Sequence, residues 1–469
     1  MQRNSLGYPA LTGLAFLLLA GCSSLSFRAP QTDVALFGPA GWREADAGDD
    51  GRISRGWLST FHDRDLERSV DAAMANNQDL AAAAARMRSA EYVRMAGRSR
   101  ILPQASLLGS GSTTRSENGR STSTRSESYG LTVSSSWEID LWGRLRDLNA
   151  ADDADLLSAR ASYRGARLSL AAATARAWCN LIAAQQQLEL AEVTLDSFQR
   201  NLRISERNYK GTGQGALDVQ FGRTNVASAQ RDLESRRLAR DESARTLEVL
   251  TGAYPSGSTR AGRELPELKR NIPAGLPSEL LERRPDLAAA RAEILSSARR
   301  ADAARKALLP SLELTTSTGT PVTSFSNLLN PNWLVSRIGT NIAQNLYSGG
   351  AIGNQARAAL EQNQAAVHEY NQAALEAFRE VESALDTDHS LARQEDFLVT
   401  EVQQAALAEK QSTRDYSDGI EGSDILDVLE AQRRANNAKA SLIRLRNQRL
   451  LNRIDLHLAL GGDFTTREI

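Results

Sequence analysis

The sequence predicts an α-helical chain combined with a transmembrane β-barrel: an internally duplicated protomer with four β-strands and long coiled-coil helices. Three observations lead there. Motifs of the first half return in the second half in the same order, helical periodicity persists over long unbroken runs, and two segments alternate apolar with polar residues.

Composition narrows the class. Aromatic residues are only 5% of the 469, and alanine, leucine, glutamine, arginine and glutamate dominate, as in long helices. The 56 basic residues against 57 acidic ones leave no basic excess for a nucleic-acid partner. Two cysteines, Cys22 and Cys179, supply no disulfide framework, and Cys179 in an alanine-rich helical stretch reads as a small buried residue.

Residues 1–21 read as a signal peptide, with Arg3 in its basic region and an apolar core, Leu11 to Ala20, too short to span a bilayer. It ends Leu19-Ala20-Gly21-Cys22, which resembles the site where a bacterial lipoprotein is cleaved and its cysteine acylated. Ser23, where an aspartate would favour inner-membrane retention, suggests the outer membrane. Acyl chains on Cys22 would anchor the chain in outer-membrane lipid. Residues 22–65 form an extended lipidated segment. No later run of 18 apolar residues occurs, so any further crossing must be made by β-strands in a closed barrel.

The repeat sets the organisation. Asp79-Leu80-Ala81-Ala82-Ala83 returns as Asp286-Leu287-Ala288-Ala289-Ala290, and Leu102-Pro103 as Leu309-Pro310. Tyr209 is answered by Tyr416, and Leu217-Asp218-Val219 by Leu426-Asp427-Val428. The copies span 66–252 and 278–462, joined by a Pro- and Gly-rich linker at 253–277 and followed by a tail at 463–469. Each copy reads as a helix of about 35 residues, a polar hairpin, a very long helix, a Gly-bearing turn and a last helix. The long helix expected from Arg144 to Arg207 would measure about 100 Å at ~1.5 Å per residue. Leu181, Leu188, Leu195, Leu202 and Tyr209, with Ala184, Ala191 and Phe198 three positions later, give it a heptad seam in which alanine allows close approach.

The hairpins, 104–141 and 311–347, carry the other period. Tyr129, Leu131, Val133, Trp137, Ile139 and Leu141 alternate with Gly130, Thr132, Ser134, Ser136, Glu138 and Asp140. The partner strand runs from Gln104 to about Thr113, and Thr114 to Glu127 reads as a loop. The second hairpin pairs Ser311–Thr318 with Leu334–Tyr347 across a loop from Pro321 to Trp333. One hairpin per copy gives four strands, which cannot close a membrane barrel. A water-filled lumen needs more strands, so three chains giving 12 is the smallest reasonable solution. The heptad helices would form a matching α-helical cylinder below the barrel.

The stretch from Gly275 to Leu287, which includes Leu281-Glu282-Arg283-Arg284-Pro285-Asp286, is similar to a signature of the NodT-type lipoprotein branch of the TolC-like outer-membrane efflux proteins. Trp137-Glu138-Ile139-Asp140-Leu141-Trp142-Gly143 and Leu346-Tyr347-Ser348-Gly349-Gly350 resemble the same branch. The resemblance implies a homotrimer with a periplasmic adaptor and an inner-membrane pump of the resistance-nodulation-division type. The channel would be a passive exit duct for small molecules or drugs, performing no chemistry and using no cofactor.

The resemblance also implies a gate at the periplasmic helix tips. Asp427 and Glu430 fall where relatives carry gate acids, and Asp424 shares their helical face, so that a trimer would ring the pore with carboxylates. Tyr209 and Tyr416 are the expected gate-turn contacts. Helix-start chemistry is the competing reading: Ser423 as cap, Asp424 and Asp427 at the positive helix end. No metal site is expected, and His62, His368, His389 and His457 are scattered without a catalytic motif. A structural coiled-coil lipoprotein and a channel for protein secretion or metal export are the rival readings.

Overall fold

The computed structural model describes residues 29–32, 42, 56–118, 122–212, 215–268, 277–418, 420 and 424–462. Helices α1 (Arg64–Asn76) and α2 (Gln78–Arg98) lead into the strands β1 (Gln104–Asn118) and β2 (Thr122–Ile139). Then come α3 (Arg144–Thr212), 69 residues long, and α4 (Ala216–Leu250), 35 residues long. The same order returns as α5 (Pro277–Arg283), α6 (Pro285–Lys306), β3 (Ser311–Gly319), β4 (Val335–Ala343), α7 (Ala351–Ser417) and α8 (Ile425–Ala459).

Three expectations are corrected. The opening helix of each copy is broken in two. In the first copy Asn77 stops α1 and starts α2, its Oδ1 accepting from the Leu80 N–H at 2.9 Å. In the second, Arg284 stands before Pro285, which disfavours helical backbone in the preceding residue. The first hairpin reaches much further than expected. Residues 114–118 and 122–126, read as loop, are paired strand, with Thr114 opposite Ser126 and Asn118 opposite Thr122. β4 is shorter than expected, ending at Ala343.

The chain divides into two compact units. One is drawn from within Met1–Ala35, Ser89–Ser158 and Ala290–Asn371 and contains the sheet. The sheet is antiparallel in the order β1-β2-β3-β4, so β1 and β4 are its edges. Register makes its two faces chemically different. Leu107 pairs with Val133, Trp137 with Leu314, Leu312 with Ile342 and Thr316 with Ile338, which gathers the apolar residues on one face. Ser106, Ser134, Ser136, Glu138, Glu313, Thr315, Ser317 and Arg337 share the other. Leu107, Val133, Ile338 and Ile342 on the apolar face are exposed.

The motif Trp137–Gly143 builds the sheet-to-helix corner. Trp137 Nε1 donates to the Ile101 carbonyl at 2.9 Å and Trp142 Nε1 to the Pro310 carbonyl at 2.7 Å. The Asp140 carboxylate accepts the Leu145 and Arg146 N–H groups at 3.1 and 3.0 Å, covering otherwise unpaired donors at the start of α3. Arg144 holds Glu138 at 2.7 Å. Gly143 has φ 79, a left-handed conformation that a Cβ would strain.

The second unit is drawn from within Leu36–Arg88, Ala159–Ala289 and Gln372–Ile469. Its core gathers Trp57, Phe61, Leu66, Val70, Trp178, Cys179, Leu181, Ile182, Leu247, Leu450 and Ile454. Trp178 donates to Asp63 at 2.7 Å, while Asp63 caps α1. Cys179 is buried, and that burial, followed by the nearby Asp63 charge, pushes its thiol up to about 12, as an inert core residue requires.

Both copies close in the same way. Asn77 Nδ2 donates to the Leu250 carbonyl at 3.0 Å; Arg284, at the matching place, donates to the Ala459 carbonyl at 3.3 Å and to Asp286 and Glu380 at 2.7 and 2.6 Å. After each last helix comes a left-handed glycine, Gly252 (φ 74) or Gly461 (φ 77), lying against the backbone of its copy's helix joint.

Candidate functional site

The site belongs to the second unit, at the turns where α3 and α7 end and α4 and α8 begin. Gly215, with φ 88, stands at the N-cap of α4, where an added Cβ would lie 3.2 Å from Asp218 Oδ2. α8 begins differently. Asp424 is its N-cap, accepting from the Leu426 N–H at 3.4 Å, and Asp427 Oδ2 accepts the Asp424 N–H at 3.4 Å, closing a capping box. The expected cap Ser423 lies outside the described residues; the next residue, Asp424, takes that role because Asp427 sits three positions on and can reciprocate. Ile425 and Val428 are buried beneath the box, and Asp424 and Asp427 stay exposed.

Asp424 lies close to Asp218 of the other copy. Burial, then the Asp424 charge, raises the Asp218 pKa above the usual carboxylate value. The tips of the two copies therefore confront one another with like charges. Glu430 is in a different state. It is gripped by Arg434 at 2.7 Å and by Arg433 at 2.7 Å, and those bonds, Arg434's first, hold its carboxyl below the usual range. Glu430 thus carries two arginines for one carboxylate. The i+3 and i+4 spacing was legible in the sequence; the Asp218–Asp424 approach was not, since neither local pattern nor repeat register brings those residues together.

Tyr209 and Tyr416 lie in the last turns of α3 and α7, exposed and half-buried respectively. A buried polar latch crosses from α8 to α3: Gln432 accepts from Asn201 at 2.8 Å and donates to Ser197 at 3.2 Å. Beside it is a groove of about 720 Å³ among α3, α4 and α8, lined in part by Leu190, Phe198, Phe221, Leu429, Glu430 and Arg433. Among the described residues no group of three or more His, Cys, Asp or Glu could hold a metal, and no helix is long and apolar enough to cross a membrane. Cys22 lies outside the described residues.

A two-faced sheet with an exposed apolar side, joined to helices of 69 and 67 residues, defines a class of membrane channel proteins. A family model described as outer membrane efflux protein matches residues 70–253 and 276–462. A pyoverdine export outer membrane protein of Pseudomonas aeruginosa, OpmQ, is 29% identical over 459 residues, covering 96% of this chain and 95% of that protein. The cation efflux system protein CusC of Escherichia coli is 30% identical over 419 residues, covering 87% and 88%. The solved CmeC outer membrane channel of Campylobacter jejuni has a TM-score of 0.84 at 23% identity, over 95% of this chain and 96% of that one. The chain belongs to the outer membrane efflux protein family, the outer-membrane components of efflux systems, and is not an enzyme.

Proposed function

We propose that three copies of this chain close a 12-stranded barrel in the outer membrane and continue it as a helical tunnel, a passive exit duct gated at the helix tips. The observation that carries this reading is the sheet: its order ends on two strands, β1 and β4, with no second partner among the described residues, and its apolar face is exposed. An unpaired strand edge cannot face hydrocarbon, so β1 of one chain pairs with β4 of the next. Cys22, acylated, anchors each chain in outer-membrane lipid. A periplasmic adaptor and an inner-membrane pump of the resistance-nodulation-division type complete the system and supply the energy. Cargo of small molecules or drugs fits the relatives, whose names speak of pyoverdine, cations, antibiotics and toluene.

In the closed state Asp424 and Asp427 ring the periplasmic opening. Rings of carboxylates hold cations and repel anions. Sedimentation of the detergent-solubilised mature protein tests the assembly: the expected mass is three times that of one chain. A protein that sediments as one chain and forms no conducting pore in a planar bilayer would remove the reading.

A further inference from the structure

We propose that the loop joining β3 to β4 is an interfacial foot, lying in the headgroup boundary of the outer leaflet and fixing the depth at which the barrel sits. This rests on the barrel reading above. From Gly319 to Ser336 the sequence has no charged residue. Its large apolar side chains nevertheless point outward: Phe325 is 68% exposed, Leu329 79%, Trp333 53% and Leu334 55%. Exposed apolar surface costs about 25 cal/mol per Å² in water, so a loop that presents four such groups is unfavourable there and favourable at a lipid boundary.

The loop is built to hold them out. Tyr129 and Val322 exchange backbone hydrogen bonds at 2.7 and 2.9 Å, and the Thr320 N–H reaches the Leu131 carbonyl at 3.0 Å. Thr320 Oγ1 donates to the Leu328 carbonyl at 2.5 Å, and Asn330 caps the turn Pro331–Trp333. With these backbone groups paired inside the loop, it can enter a polar–apolar boundary without carrying their desolvation cost.

Its side is fixed by Phe325, whose ring meets the Tyr129 ring edge-on at 5.6 Å. Tyr129 alternates in phase with Leu131, Val133, Trp137 and Ile139, so the patch continues the lipid-facing stripe. Its height fits as well. The stretch from Ile139 to Tyr129, at ~3.3 Å per residue and a tilt of ~40°, rises about 25 Å, the height of an outer-membrane apolar band. Tyr129, Phe325 and Trp333 then lie at the upper boundary, where aromatic residues favour the headgroups. The first hairpin continues past this level and turns wet, with the ion pairs Arg125–Glu127 at 2.8 Å and Arg115–Glu117 at 3.3 Å.

The test places single nitroxide labels at Leu329→Cys, Ile338→Cys and Ser123→Cys in a full chain carrying Cys22→Ala and Cys179→Ala. The protein is reconstituted in phosphatidylethanolamine–phosphatidylglycerol vesicles, and collision with oxygen is compared with collision with a water-soluble nickel chelate. The expected oxygen-to-nickel ratio at Leu329 lies between those at Ile338 and Ser123 and is several-fold above the latter. A ratio at Leu329 equal to that at Ser123, while Ile338 reports lipid, overturns the foot and leaves the barrel standing. Shielding of Leu329 from both reagents means a neighbouring chain covers it and also overturns the foot. An aqueous Ile338 overturns the barrel itself.

Discussion

Asp424 and Asp427 each serve two ends. Their carboxylates close the capping box of α8 and remain exposed at the proposed opening. Asp424→Ala should therefore destabilise the tip by about 1 kcal/mol, the usual worth of a cap, and raise single-channel conductance. Glu430→Ala should act differently, because it releases Arg433 and Arg434. The expected result is a shift of reversal potential toward anions under a salt gradient; Asp427→Ala, which takes a carboxylate from the ring, should shift it the same way and also raise conductance. Unchanged conductance in Asp424→Ala and Asp427→Ala would count against tip gating.

His457 makes a separate prediction. It is buried, stacks on Trp57 at 5.3 Å, and has no hydrogen-bond partner at either ring nitrogen among the described residues. Burial, then the Arg453 charge, pushes its pKa down from 6.5 to about 3. The unfolded chain binds a proton below pH 6.5 that the fold refuses until about 3, so stability falls as pH drops through that window. His457→Leu should flatten the pH dependence of the thermal midpoint between 6.5 and 4.5, and an unflattened profile would reject the assignment.

At the scale of elements, the repeat, the long helices and the four strands were legible because each rests on a period that survives in one sequence. The outer half of the first hairpin was not. Its residues, from Thr114 to Glu127, are polar on both faces, and alternation cannot be seen where both sides meet water. The joints at Asn77 and Arg284 were hidden for another reason: unlike residues do the same work, an amide in one copy and a guanidinium in the other. The closing glycines are the element-level test. A Cβ on Gly252 would lie 2.6 Å from the Asn76 carbonyl oxygen, and its φ of 74 is costly for any other residue. Gly252→Ala should cost about 1–3 kcal/mol, read as a lower unfolding midpoint in denaturant.

Glu248 supports the linker. It is buried and accepts from the N–H groups of Gly257, Ser258 and Thr259 at 2.7, 3.0 and 2.9 Å. Burial opposes its charge, but the hydrogen bonds from Gly257, Thr259 and Ser256 win and bring its pKa down from 4.5 to about 2. Its contribution is complete above pH 4.5 and is lost as pH falls toward 2. Glu248→Leu leaves three backbone N–H groups without their acceptor, and should cost about 1–3 kcal/mol each where water cannot replace it. Faster proteolysis between Tyr254 and Leu268 at neutral pH is the measurement.

At the scale of the whole molecule, the strand edges decide. Within one chain, β1 and β4 each have one neighbour in the sheet. Gly109→Pro in β1 removes an N–H from that edge and should reduce the yield of three-chain assembly while leaving helix content by circular dichroism unchanged. Equal loss of assembly and helix content would mean that the edge acts within the protomer instead.

The fastening of the linker has a consequence for how the duplicated halves could be parted. Gln185 bonds Ala261 in both directions, at 2.9 and 3.2 Å, and Gln186 reaches the Arg263 carbonyl at 2.9 Å. Together with Glu248, these ties fasten the start of the connection to α3 and α4. The chain from 253 to 263 is thus tied to the first half, and the crossing to the second half is made beyond it. Severing the backbone after Leu268 should leave two fragments that still find each other, as a hinge pin can be drawn from a door already fitted to its frame.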